Sequence, residues 1–95
     1  MVKHIVFFKL NENNKKNVNE VKNKLLSLKE HIDVLQHIEV GINFADEDRA
    51  YDIALLTDFN TKEDLKIYAS HAYHLEVINY IKKVALSSKV VDFQY

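Results

Sequence analysis

From Val2 to Leu10 large apolar residues fall on both alternating sets, His4, Val6, Phe8 and Leu10 against Lys3, Ile5, Phe7 and Lys9. That predicts a strand with two apolar faces. After the polar stretch Asn11-Glu12-Asn13-Asn14, Val18, Val21, Leu25, Leu28 and Ile32 recur at alternating three- and four-residue steps, one helical stripe. Lys15, Lys16, Lys22, Lys24 and Lys29 supply its solvated side. Leu35 to Phe44 reads as a second strand with Ile38, Val40, Ile42 and Phe44 on one face, followed by the charged turn Asp46-Glu47-Asp48-Arg49. Tyr51 to Phe59 reads as a third strand, again apolar on both faces at its centre. Thr61 with Asp64 three positions on marks a helix start. A short helix to about Ser70 then places Leu65, Tyr68 and Ala69 together. A further helical run from about His74 turns Leu75, Ile78, Ile81 and Ala85 inward and Lys82 and Lys83 outward. Lys89 to Tyr95 closes the chain as a fourth strand.

The order β-α-β-β-α-(α)-β predicts an α+β, ferredoxin-like protomer: an antiparallel four-stranded sheet with its helices on one face. A sheet covered on one side should alternate apolar and polar. Here Ile5 and Phe7 stand opposite Val6 and Phe8, and Ile53 and Leu55 opposite Ala54 and Leu56. One face must therefore remain greasy over several hundred Å2, roughly the upper limit for a monomer. A second copy of the same face is the simplest cover, so a homodimer joined through its sheet faces is expected.

Composition narrows the classes without choosing one. Ninety-five residues make a single domain, 1–95, with 47% hydrophobic and 28% charged residues, inside the globular range. A net charge of −1 argues against nucleic-acid and membrane partners. With no apolar run of spanning length and no leader pattern, the expected location is cytoplasmic. With no cysteine there is neither a disulfide frame nor a thiol nucleophile.

Candidate chemistry lies in the histidines and tyrosines. His31 and His37 sit among polar residues and read as solvated. His4 shares a face with Val6 and Phe8, so its ring nitrogens need partners. Tyr68, His71 and His74 recur every three residues and fall on nearly one side of a helical turn. A phenol and two imidazoles aimed at one point suit general acid–base work. By spacing alone they suit better a set of ordinary hydrogen bonds fastening helix to sheet. His4, His71 and His74 could in principle surround a metal, but H-E-x-x-H is absent, and no metal or other cofactor is expected.

The opening Val2-Lys3-His4-Ile5-Val6-Phe7-Phe8-Lys9, the segment Tyr68-x-x-His71-x-x-His74-x-x-Val77 and the closing Val90-Val91-Asp92-Phe93 together resemble the stress-responsive A/B barrel domain family of the dimeric α/β-barrel superfamily. The chain departs from that pattern at Ala72, where the family usually has proline. The resemblance implies a homodimeric barrel and a pocket between each sheet and its helices, taking a small organic ligand. His4, Val6, Phe8, Asp52, Tyr68, His71 and His74 are the implied ligand-binding residues. One branch, similar to a plant polyketide cyclase, implies His74 as general base and Tyr68 as oxyanion donor, with Asp52 where that cyclase has a further pocket histidine. Ile5, Phe7, Ile53, Leu55, Val91 and Phe93 are the expected dimer contacts. Two rival expectations stand beside this one: a non-enzymatic stress or structural protein, and a heme or quinol-type monooxygenase of the same superfamily. The heme-degrading branch commonly uses a tryptophan, and this chain has none.

Overall fold

The computed structural model describes residues 1–95. Its strands are β1 (Val2–Leu10), β2 (His37–Ile42), β3 (Ile53–Phe59) and β4 (Ala85–Gln94), and its helices α1 (Lys15–Leu26), α2 (Leu28–His31), α3 (Lys62–Ser70) and α4 (Ala72–Val84). The sheet is antiparallel in the order β2-β3-β1-β4, with the two most apolar strands central. This is the ferredoxin-like arrangement the alternation predicted.

Helix ends follow their local chemistry. Asn14 caps α1 by accepting from the Asn17 amide at 2.9 Å, and Thr61 caps α3 by accepting from the Asp64 amide at 3.0 Å. The long stripe expected from Val18 to Ile32 is broken at Ser27, which separates α1 from α2. The Ser27 hydroxyl donates to the Lys24 carbonyl at 2.6 Å, a side-chain bond that competes with the helical ladder. Leu28 and Ile32 are nevertheless buried, so the stripe survives the bend.

The phase of the last helices differs from expectation. Val77 and Ile81 are the buried residues of α4, and Leu75 is exposed. In α3 Leu65 and Tyr68 face inward, but Ala69 does not. α4 begins at Ala72 and not near His74, and Val77 and Ile81 are fully buried on its inward face with His74 and Ile78 half-buried.

Register settles the two faces of the sheet. Val6 is opposite Leu55, and Phe8 opposite Ile53, and these pairs point toward the helices. Ile53 and Leu55 therefore belong to the 15-residue core, correcting their assignment to the outer face. Their alternating neighbours Ala54 and Leu56 stand outside instead, beside Phe7 and Ile5. Val91, opposite Ile5, and Phe93, opposite Lys3, share that outer face as expected. Phe7, Val91 and Phe93 are 44%, 60% and 43% exposed. Toward one end of this face the Tyr95 hydroxyl crosses β1 to donate to Asp58 at 2.6 Å, and the Lys3 ammonium lies 3.3 Å from the same carboxylate oxygen.

Candidate functional site

A cavity of about 260 Å3 lies between the sheet and the helices. Val6, Phe8 and Leu55 form its sheet wall, Leu25 and Leu28 one helical wall, and Val77 and Ile78 the other. Ser88 and Val90 border it at β4, a strand whose helix-facing side is left largely uncovered. The polar lining groups apart from Ser88 are His4, Tyr68 and His74. The volume is a little under the roughly 300 Å3 at which pockets for drug-sized ligands begin, and suits a molecule the size of a substituted aromatic ring.

Tyr68 is brought in by the inward face of α3 and is 1% exposed. Its ring sits 4.9 Å from that of Phe59, 4.4 Å from His74 and 6.1 Å from His4, measured between centroids. Its hydroxyl has no hydrogen-bond partner in the chain, yet no fully enclosed polar side-chain atom lacks one. The hydroxyl therefore opens onto the cavity. Burial pushes the phenol well above its ordinary pKa, so it stays a protonated donor throughout the neutral range.

His74 occupies the first turn of α4. Its Nδ1 lies 3.0 Å from the Ala69 carbonyl. A carbonyl can only accept, so the Nδ1 hydrogen is committed there and the Nε2 lone pair of the neutral ring is left free. Burial pulls the His74 pKa below its usual 6.5, more than the Ala69 carbonyl raises it, and repulsion from His4 and His71 adds to the lowering. The imidazole is thus kept neutral and fixed in one tautomer.

His4 faces the same cavity from β1. Its Nδ1 is hydrogen-bonded to Asp92 on β4, its direct cross-strand neighbour. Asp92 answers the question raised by a histidine on an apolar face, and reading the sequence missed it. The available signal was alternation, which puts Asp92 and Val90 on one side of the last strand. The pairing register that sets Asp92 opposite His4 was not visible.

Two expected pocket residues lie elsewhere. His71 is the N-cap of α4, its Nδ1 accepting from the Tyr73 amide at 3.0 Å, and it does not line the cavity. Asp52 is buried before β3, where its carboxylate accepts from the Leu10 amide at 2.7 Å and from Asn13 at 2.9 Å. It clasps the exit of β1 and takes no part in the cavity. No three His or acidic side chains converge as metal ligands. His31 is exposed, as read, but its ring stacks on Tyr73 at 3.8 Å, and the Tyr73 hydroxyl meets Ser27 at 2.6 Å.

The fold and this cavity define a ferredoxin-like α+β protein with a histidine–tyrosine cluster between sheet and helices. The chain belongs to the stress-responsive A/B barrel domain family, whose model matches residues 2–95. It is similar to the solved structure of a dimeric protein of unknown function from Bacteroides fragilis, with 31% identity over 99% of this chain and 95% of that one and a TM-score of 0.81. A protein from Arabidopsis thaliana shares 18% identity over 100% and 95% of the two chains, with a TM-score of 0.89. A hydroxynitrile lyase from Passiflora edulis shares 15% identity over 97% and 90%, with a TM-score of 0.84. At these identities the last two show a shared fold alone. No curated protein matches the chain.

Proposed function

We propose that the protein is a homodimer, paired through the outer faces of its sheets, that binds a small, mostly apolar carbonyl compound in the cavity and acts on it by proton transfer. The observation that carries this reading is the Tyr68 hydroxyl, unpartnered inside the chain and open to an apolar cavity beside a neutral, tautomer-locked His74. His74 Nε2 is the base that removes a proton next to the carbonyl. The Tyr68 hydroxyl donates to the oxygen on which negative charge then develops. Asp92 holds His4 in one orientation at the cavity wall. The cavity's mostly apolar lining favours a neutral substrate over an ionised one.

Phenylacetone is of suitable size and exchanges its α-protons slowly by itself. Its exchange in D2O, followed by proton NMR, should be accelerated by the wild-type protein. His74→Ala should remove that acceleration and Tyr68→Phe should reduce it, by about 10²-fold or more for the base. Equal rates for all three proteins would exclude the acid–base assignment.

A structural role is the better reading for His71 alone, because its ring nitrogen is spent on the helix cap. His71→Ala should cost about 1 kcal/mol of stability while leaving proton exchange intact, measured by urea unfolding alongside the same NMR assay.

A further inference from the structure

The cavity is polar at both ends and apolar between them. Beyond the His4–Asp92 pair, the register sets Val6 opposite Val90 and then Phe8 opposite Ser88, all on the helix-facing side. Four residues separate Asp92 from Ser88, so the two levels lie about 13 Å apart along β4. α4 runs the same way past the sheet, since the Val84 carbonyl at its end accepts from the Asn11 amide just beyond β1. His4, Tyr68 and His74 therefore cluster at one end, and Ser88 stands at the other.

Access separates the two ends. Tyr68 and Val77 are buried, whereas Val90 and Ser88 are exposed. The mouth is thus at β4, and the phenol and imidazole form the deep end. The hydroxyls of Ser27 and Ser70 return to the Lys24 and Lys66 carbonyls of their own helical turns. On a strand the side chain stands away from the ladder, and the Ser88 hydroxyl has no partner in the chain. Packing alone would favour a β-branched residue at that position.

We propose that Ser88 selects the substrate by its far end: the ketone carries a neutral hydroxyl or phenol group that hydrogen-bonds Ser88 at the mouth while its carbonyl reaches Tyr68. This deepens the proton-transfer reading and rests on it for the position of the carbonyl. Val6 and Val90 fit an uncharged ring or short chain between the two polar groups. No lysine or arginine lines the cavity, so a neutral far group suits the mouth better than a carboxylate. Water competes for an exposed hydroxyl, which limits the selection to about fivefold, the net worth of one hydrogen bond.

Benzylacetone and para-hydroxybenzylacetone differ only in that far hydroxyl. Titrated into the ¹⁵N-labelled protein and followed by amide shifts, the hydroxylated ketone should bind about fivefold more tightly than its parent. Ser88→Val, which suits a strand, should bind the two equally, and Ser88→Thr should keep the preference. Tyr68→Phe should weaken both ketones alike. Equal affinities in the wild type would overturn the proposal, as would a preference that survives Ser88→Val. A preference removed by Tyr68→Phe instead would place the ligand in the reverse order, and it too would overturn the proposal. So would failure of both ketones to bind at millimolar concentration. Affinity is read here without turnover. A Ser88-dependent preference with no α-proton exchange would remove the acid–base reading and leave selection by Ser88 standing. Exchange with no dependence on Ser88 would do the reverse.

Discussion

His74 shows how one side chain is prepared for a task by its surroundings. The Ala69 carbonyl selects its tautomer, and burial keeps it uncharged. The same shift links it to stability. A folded-state pKa below 6.5 means that the unfolded chain takes up the proton first, so stability is full above about pH 6.5 and is lost as the pH falls through the folded value. The thermal midpoint of the wild type should therefore drop more steeply between neutral pH and pH 5 than that of His74→Gln. Matching slopes would show that His74 is not held neutral by the fold. A rate dependent on the His74 base should likewise be level at neutral pH and decline on the acid side, with its midpoint below 6.5. Spacing made Tyr68 and His74 legible as a pair, although they fall on two helices, α3 and α4, with an extended His71 between them. Asp92 and the true place of Asp52 were not legible, since each depends on which strand end meets which. Asp52 looked like a pocket residue only by correspondence, and the Leu10 amide and Asn13 show it to be a clasp.

The junction between α3 and α4 decides where His74 points. His71 holds an extended ψ of 137° as both the C-cap of α3 and the N-cap of α4, and Ala72 follows as the first residue of α4. That first position is the one place in a helix that favours proline, whose fixed φ suits it and whose missing N–H would have no helical partner there. The extended His71 is also the conformation that a following proline requires. Ala72→Pro should thus stabilise the protein by about 0.4–1 kcal/mol through the unfolded chain, without altering proton exchange in the cavity. Urea denaturation of the two proteins would measure it, and a destabilised variant would contradict the geometry. Most elements were legible from periodicity because each buries a continuous stripe. The break at Ser27 was hidden because the stripe runs through it unchanged. The early start of β4 at Ala85 was hidden because Ala85 to Ser88 carry little apolar alternation.

For the whole molecule, the outer face of the sheet is the dominant fact. Ile5, Phe7, Leu56, Val91 and Phe93 form an apolar surface that no helix covers. The existence of that face could be read from β1 and β3, which are greasy on both sides. Which members of β3 belong to it could not, because shifting the register by one residue exchanges the faces. In the proposed dimer, a Phe7→Asp/Leu56→Asp double variant should sediment as a folded monomer at micromolar concentration, where the wild type sediments as a dimer. A wild type that is itself monomeric and stable would remove the proposed assembly.

The group formed by Lys3, Asp58 and Tyr95 lies away from the middle of that face, near the end of the strands. A two-fold axis would copy it to the opposite end, so that inheritance of a single altered codon modifies both rims of the joined surface at once. A change that weakens one rim by a factor of about ten in affinity then weakens the assembly by about a hundred, since the two losses add as free energies.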